Sequence, residues 1–597
     1  MAFETILHRL DNRASSNPNG VAYRDKVTGS WRETTWAEYN ELVGKTSKAL
    51  MKMGVGDGDV VSILGNNRPE WTLMLLGAMG VGGVGAGIYA SNSPEEVSYI
   101  VNHSESKVII VEDMGQYEKV KAEWHKTPSL ANVVMMEGAE QPDDDRVLSW
   151  EDFLASGADI DDDVITSARD ALRADQNGSF IYTSGTTGPP KAVMLTHENL
   201  SWTADMLANA ADIQAGDEVL SYLPLSHIAE QDNSVHIAIT VGSVVNYCHE
   251  GLKVADYLQE VRPMVFFGVP RVWERFYAGV GARMAEAEGA KAKIASWARG
   301  VGSKATAERN AGGEPGGLLA VQEKIADKLV FSKLREALGL DRCKIFISGA
   351  APASVEILEF MGSLGITICE IYGQSEGTGP TSSNLPGAVK FGSVGKPLPG
   401  IEVKLGPDDE IIFRGKNVFP GCFKDQAATD ECLEDGWLHS GDLGSIDEDG
   451  YLWITGRKKD IIITSGGKNI APKNIEGALT SLELVGHAVC IGEQQRYLTA
   501  LITLEPEAAK RFAEANNEDV SNLHTSEALR AHFEAEIAAK VNNQFARVEH
   551  VRNFRILPHE FTVESGELTP TFKIKRAVVN EMYSAEIAKV YDMGQAI

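Results

Sequence analysis

FIYTSGTTGPPKAVMLTHENL, from Phe180 to Leu200, runs a short apolar strand into a loop of Thr, Ser and Gly and then into a lysine. Short apolar runs recur as SFIYT, KIFIS (Lys344 to Ser348) and ITICEIYG (Ile366 to Gly373), alternating with amphipathic stretches such as ASVEILEFMGSLG (Ala353 to Gly365). That alternation predicts an α/β fold with largely parallel sheets. The loop suits phosphate: glycines let backbone N–H groups converge on oxygens, the hydroxyls of Thr183, Ser184, Thr186 and Thr187 add donors, and Lys191 adds charge. It is not a Walker A loop, because Lys191 stands between Pro190 and Ala192 where a P-loop requires Gly before and Ser or Thr after. A polar surface loop would have a similar composition.

A chain of 597 residues is too long for one compact core and is expected to form several core-sized units. Apolar residues at 43% and charged ones at 23% supply enough core material to argue against disorder. The 84 acidic against 56 basic residues give a formal charge of −28, so nucleic acid would be repelled. The six cysteines form no CxxC pair, which suggests neither a disulfide framework nor a cysteine zinc site and fits a reducing cytoplasm. The start, MAFETILHRLDNR, lacks the apolar core of a secretory signal.

Trp71 to Ala90 carries no charge and is as long as a membrane span. Six glycines crowd its second half, so it reads instead as a buried helix over Glu70 to Met79 and a strand over Val84 to Tyr89. Its GVGGVG follows a helix rather than the strand a dinucleotide fingerprint requires. Ala282 to Leu329 reads as an inserted helical hairpin with a mobile turn at Ala311 to Gly317, and the acidic runs between Asp143 and Asp163 as solvated loops. Near Gly456 the texture changes to short strands (YLWITG, IIIT), the turn SGGK and a helix opened by Pro472. The expected division is a large layered α/β domain over residues 1–455 and a small mobile α+β domain over 456–597.

Four motifs, YTSGTTGPPK, YGQSEGTGP (Tyr372 to Pro380), WLHSGDLG (Trp437 to Gly444) and GRKKDIIITSGGKNIAPKNIE (Gly456 to Glu476), occur in the order used by the adenylate-forming superfamily. Together with LTPTFKIKR (Leu568 to Arg576) and the insertion, they make the chain resemble the bacterial long-chain fatty-acid CoA ligases over nearly its whole length. The resemblance implies ATP and coenzyme A as co-substrates, with the loop Thr183, Ser184, Gly185, Thr186, Thr187, Gly188 and Lys191 on the phosphates and Thr183 and Glu376 on Mg²⁺. Ser375 stands where many relatives have Thr. It further implies Tyr372, Gly373, Gln374, Gly349 and Ala350 around adenine, Asp442 on the ribose hydroxyls, and Arg457 near ribose and phosphate. Lys573 would bridge the acid and the α-phosphate, His227 of SYLPLSHIAEQ would flank the carboxylate, Lys459 would be the hinge, and Gly466 and Gly467 would border the thiol path. VFFGVPRVWERF (Val265 to Phe276) is either an acyl-tunnel wall or plain core. The implied partners are small molecules: a fatty acid, ATP and coenzyme A. A transient visit to a membrane surface is compatible with that chemistry, and the residues leave oligomeric state open. They also leave open a relative that hands its acyl group to a carrier protein, or one that binds nucleotide without catalysis.

Overall fold

Trp71 to Ile88 is wholly internal in the computed structural model, which describes residues 3–183, 189–563, 565–569 and 573–597. All eleven residues of the helix Pro69–Met79 are buried, as a helix apolar on every side requires. The strand Val84–Ile88 that follows is equally buried. Its glycines have a packing reason. A Cβ on Gly87 would lie 2.8 Å from Ser226 Cα and 2.9 Å from the Trp71 ring. Gly87→Val is therefore expected to cost about 1–3 kcal/mol by overpacking, read as a lower urea midpoint at unchanged slope. Among the described residues no helix is long and apolar enough to cross a membrane.

That strand sits inside a seven-stranded sheet, parallel except for its last strand, Lys191–Thr196, which returns antiparallel to Asn177–Thr183. A nine-stranded sheet holds Ile368–Gln374, Ile345–Ser348, Val265–Gly268, Glu218–Ser221 and Val244–Tyr247 as parallel neighbours, with antiparallel strands at its edges. One apolar core joins the helices Ile6–Ser16, Trp36–Lys52 and Pro69–Met79 to Val61 and Ile63 of the first sheet and to Val219 and Val245 of the second. The helices are thus the filling between two sheets. A smaller antiparallel sheet of Glu402–Leu405, Glu410–Arg414, Leu433–Glu434, Trp437–Ile446 and Leu452–Arg457 follows.

From Ile462 onward the chain packs two apolar clusters of its own, around Ile475, Leu501, Phe533 and Phe554. Its sheet pairs Val485–Ile491 antiparallel and Val551–Ile556 parallel to Leu498–Leu504. Gly289–Asn310 and Gly317–Ala326 form the expected helical hairpin, which Arg309 closes with two 2.8 Å hydrogen bonds to Glu323. One expectation fails: Asp162 and Asp163 are not loop but the first turn of the helix Asp162–Asp170, where carboxylates complement the positive end of the helix dipole.

Candidate active site

The strands that end between the two sheets carry the candidate residues to one cavity of about 1800 Å³. Thr183 closes its strand directly opposite Lys191. Ser184, Gly185, Thr186, Thr187 and Gly188 lie outside the described residues. Lys191 Nζ stands 3.7 Å from Glu431, which is also 3.1 Å from Lys459.

Across the cavity, Ile368–Gln374 delivers Tyr372, Gly373 and Gln374, and a 3₁₀ turn, Ser375–Gly377, then turns Glu376 inward. Gly373 is required there, since a Cβ would come 1.9 Å from the Gly379 carbonyl oxygen. The Glu376 carbonyl accepts from Phe419 N at 2.9 Å, and Thr378 Oγ1 donates to the Asn417 carbonyl at 2.6 Å, pinning the turn. Burial raises the pKa of the Glu376 carboxyl above the ordinary range, against a hydrogen bond from its own backbone N–H and the pull of Arg457. A hard cation sharing its shell with phosphates and water needs only one or two protein oxygens, and Glu376 with the Thr183 hydroxyl fits that need for Mg²⁺. Gly349 sits between the cavity residues Ser348 and Ala350, against Ile371 and Phe267, and Ala350 adopts a left-handed φ of 69°.

Asp442 and Arg457 are cross-strand neighbours, 3.7 Å apart between Oδ1 and Nε, while Tyr372 Oη donates to Asp442 Oδ2 at 2.9 Å. Lys573, whose N–H donates to Thr569 Oγ1 at 3.0 Å, lines the same cavity. Its side chain is open to the cavity yet deep among protein atoms. Burial, then repulsion from Arg457 and Lys473, pushes its pKa down to about 8 against the pull of Asp442 and Glu376. Burial and Lys573 together push His227 to about 3, so its imidazole is neutral. His227 Nδ1 accepts from Ala229 N at 3.2 Å, which leaves Nε2–H as the donor facing the lumen.

Gly466 and Gly467 are not brought to this cavity. They lie on an exposed turn, where a Cβ on Gly467 would meet nothing within 4 Å, although its φ of 72° favours glycine. VFFGVPRVWERF divides: Val265, Phe267 and Glu274 line the cavity, whereas Phe266 and Trp273 are packed core. Sequence reasoning missed Lys473, a cavity-lining cation whose pKa burial lowers near Asp442 and Arg457. Its place in the first turn of Pro472–Thr480, against the helix dipole, is a hint that names neither a partner nor a site.

Residues 10–423 match the AMP-binding enzyme family, and residues 459–595 match the AMP-binding enzyme C-terminal domain. The chain is 35% identical to the long-chain-fatty-acid–CoA ligase ACSBG2 of Xenopus laevis, over 96% of this chain and 81% of that one. It is 34% identical to the long-chain-fatty-acid–CoA ligase FadD15 of Mycobacterium bovis, over 96% and 95%. In fold it is similar to the A domain of a carboxylic acid reductase from Segniliparus rugosus, solved with AMP and a co-purified carboxylic acid (TM-score 0.76, 19% identity, 99% and 95% covered).

Proposed function

The chain belongs to the AMP-binding enzyme family, and on that premise we propose that it is an ATP-dependent long-chain fatty-acid–CoA ligase. In the first step a carboxylate oxygen of the acid bonds to the α-phosphorus of ATP and the bond to pyrophosphate breaks. In the second, the coenzyme A thiolate attacks the acyl carbon and AMP leaves. The observation that carries this reading is the convergence of Lys573, Glu376, Asp442, Arg457 and Tyr372 on one cavity.

Each group then has a task that its surroundings suit. Lys573 offsets negative charge between acid and α-phosphate, Lys191 and the loop after Thr183 hold the outer phosphates, and Glu376 with Thr183 would hold Mg²⁺, whose positive charge would offset that of the phosphates. Asp442 accepts the ribose hydroxyls, Arg457 lies beside it, and Tyr372, Gly373, Gln374, Ser375, Gly349 and Ala350 form the base pocket. Neutral His227 orients the acid through Nε2–H. Residues 456–597 act as the moving part, a reading supported by their separate core and by the family boundary at 459. Among the described residues the side chain of Lys459, the proposed hinge residue, is tied only by an exposed ion pair of little strength. With Lys573 facing the cavity and Gly466 and Gly467 outside it, the arrangement suits the first step, and a swing would bring the glycines in for the second. The test is fatty-acid-dependent ATP–pyrophosphate exchange followed by thioester formation with coenzyme A as sole acceptor. Exchange without thioester would point to a carrier-protein acceptor, and no exchange would overturn the reading.

The membrane contact has a specific candidate surface. The helix Gly317–Ala326 and its continuation expose Leu318 (73%), Val321, Ile325 and Leu329 as one stripe, beside Ile294 and Trp297 of the neighbouring helix. Lys324 and Lys328 interleave with the stripe, and Lys291, Lys293, Lys304 and Lys333 surround it, all exposed and without an ion pair among the described residues. Two of the acids on these helices are paired, Glu323 with Arg309 and Asp327 with Arg335. A basic apolar stripe on a chain of charge −28 complements an anionic lipid surface. Ile325→Glu with Leu318→Glu is expected to lower sedimentation with phosphatidylglycerol vesicles roughly tenfold or more, at about 1.5–3 kcal/mol per buried side chain, and to leave exchange with a short soluble acid unchanged. Unchanged sedimentation, or a dimer that the substitutions dissociate, would refute it.

A further inference from the structure

One wall of the cavity beyond His227 is the helical run Ile228–Gln231, Asp232–His236 and Ile237–Val241, which presents Ile228, Asp232 and Ile237 towards Leu207, Ala211 and Ile213. In this apolar compartment Asp232 is anomalous. It is 2% exposed, and neither carboxyl oxygen has a hydrogen-bond partner. It is the one carboxyl group with both oxygens in that state among the described residues.

The fold satisfies its other buried carboxyls. Glu230, two residues earlier, accepts from Ser234 Oγ and from Leu223 N. Glu370 accepts from Ala353 N at 3.2 Å and Gly392 N at 3.3 Å, and Glu70 pairs with Arg68 at 2.6 Å. Asp232 instead opens a π-turn, a helix irregularity that re-aims side chains and concentrates at functional sites. Its Oδ2 reaches the strand that follows Glu376: a Cβ on Gly379 would lie 2.5 Å from it. Both residues line the lumen.

We propose that Asp232 marks a subsite for an oxygen-bearing acyl chain, so that the preferred acid carries a hydroxyl or oxo group within several carbons of its carboxyl end. This rests on the ligase reading above and names the substrate class of that same site. Asp232 lies five residues beyond His227, about 7 Å along the helix axis, which is several carbons of an extended chain. A plain alkyl chain would leave the carboxyl unpaired in an apolar wall, at the cost of a buried unsatisfied polar group. A chain hydroxyl or carbonyl would complete it. Burial raises the Asp232 pKa well above the carboxylate range, which favours the protonated form that can both donate and accept. A site built to hydrogen-bond a substrate oxygen discriminates strongly against the analogue that lacks it, whereas an apolar slot does not.

The experiment measures kcat/KM for pyrophosphate exchange with hexadecanoate and its positional hydroxy and oxo isomers. The intact enzyme is expected to prefer at least one isomer substituted near the carboxyl end over plain hexadecanoate by about tenfold or more, the scale of a hydrogen bond that satisfies a buried group. Asp232→Leu should reverse that preference, with plain hexadecanoate gaining, and Asp232→Asn, which still donates, should keep part of it. Preference for plain hexadecanoate over every isomer in the intact enzyme, or an unchanged ratio in a folded Asp232→Leu, would overturn the proposal while leaving the ligase reading intact. If no acid of either kind supports exchange, the ligase reading itself fails.

Discussion

Lys573→Ala is expected to lower acid-dependent pyrophosphate exchange about a hundredfold or more, while supplied acyl adenylate plus coenzyme A is still converted to thioester. A positioned cation acting on charge that develops in a water-poor site contributes about 3 kcal/mol or more to the barrier. Lys573 lines the cavity, where the charges of Asp442 and Glu376 act on its ammonium. No described ion pair holds its ammonium, so truncation removes no internal contact of that kind and the protein should remain folded. The same surroundings fix a pH dependence. With its pKa pushed down to about 8, the lysine is charged below that value and neutral above it, so kcat/KM for exchange should fall as pH rises through about 8 in the intact enzyme. Bound ATP would shift the fall in kcat upward, because its negative charge favours the ammonium. Single-turnover assays of each half-reaction check the split. Equal loss of both half-reactions in a folded variant would remove Lys573 from the first step and domain alternation with it.

The parts of this structure that could be read from sequence are those in which local pattern and tertiary demand agree. The parallel strands around SFIYT, KIFIS and ITICEIYG are short apolar runs because both faces are covered, and they appear as Asn177–Thr183, Ile345–Ser348 and Ile368–Gln374. The glycine-heavy run after Trp71 resolved into helix and strand because a helix apolar on all sides must be internal. Where the reading failed, competing local explanations were equally good. An aspartate cluster fits a solvated loop as well as a helix start, and Asp162 took the second course. The site was legible mainly through resemblance, since Asp442 is one acid among many until Tyr372 and Arg457 are seen against it. Asp232 and Lys473 were illegible for a different reason. Their meaning lies in what surrounds them, an apolar lumen in one case and a cluster of cations in the other, and neither is encoded in spacing along the chain.

Glu376→Gln should show the second large effect, in two quantities that move in opposite directions. Exchange should fall about a hundredfold or more, since the amide keeps the size of the side chain but loses the charge that a hard cation requires. Raising Mg²⁺ should restore part of the rate if the loss is in metal affinity. Stability should instead rise. The native fold raises the Glu376 pKa, chiefly through burial and further through Asp442, against the pull of Arg457 and Lys573. A carboxyl with a raised native pKa binds its proton more tightly folded than unfolded, so its charge destabilises the fold increasingly as pH rises above the unfolded value. The glutamine does not titrate. Relative to the intact enzyme, the variant should melt higher at neutral pH, and the difference should vanish as pH falls towards the ordinary glutamate range. Thermal melts of the nucleotide-free protein across that range test the sign. A variant that is both inactive and less stable at neutral pH would make Glu376 a structural carboxylate and remove the metal assignment, whereas lost exchange with gained stability marks a residue kept for its chemistry against the preference of the fold.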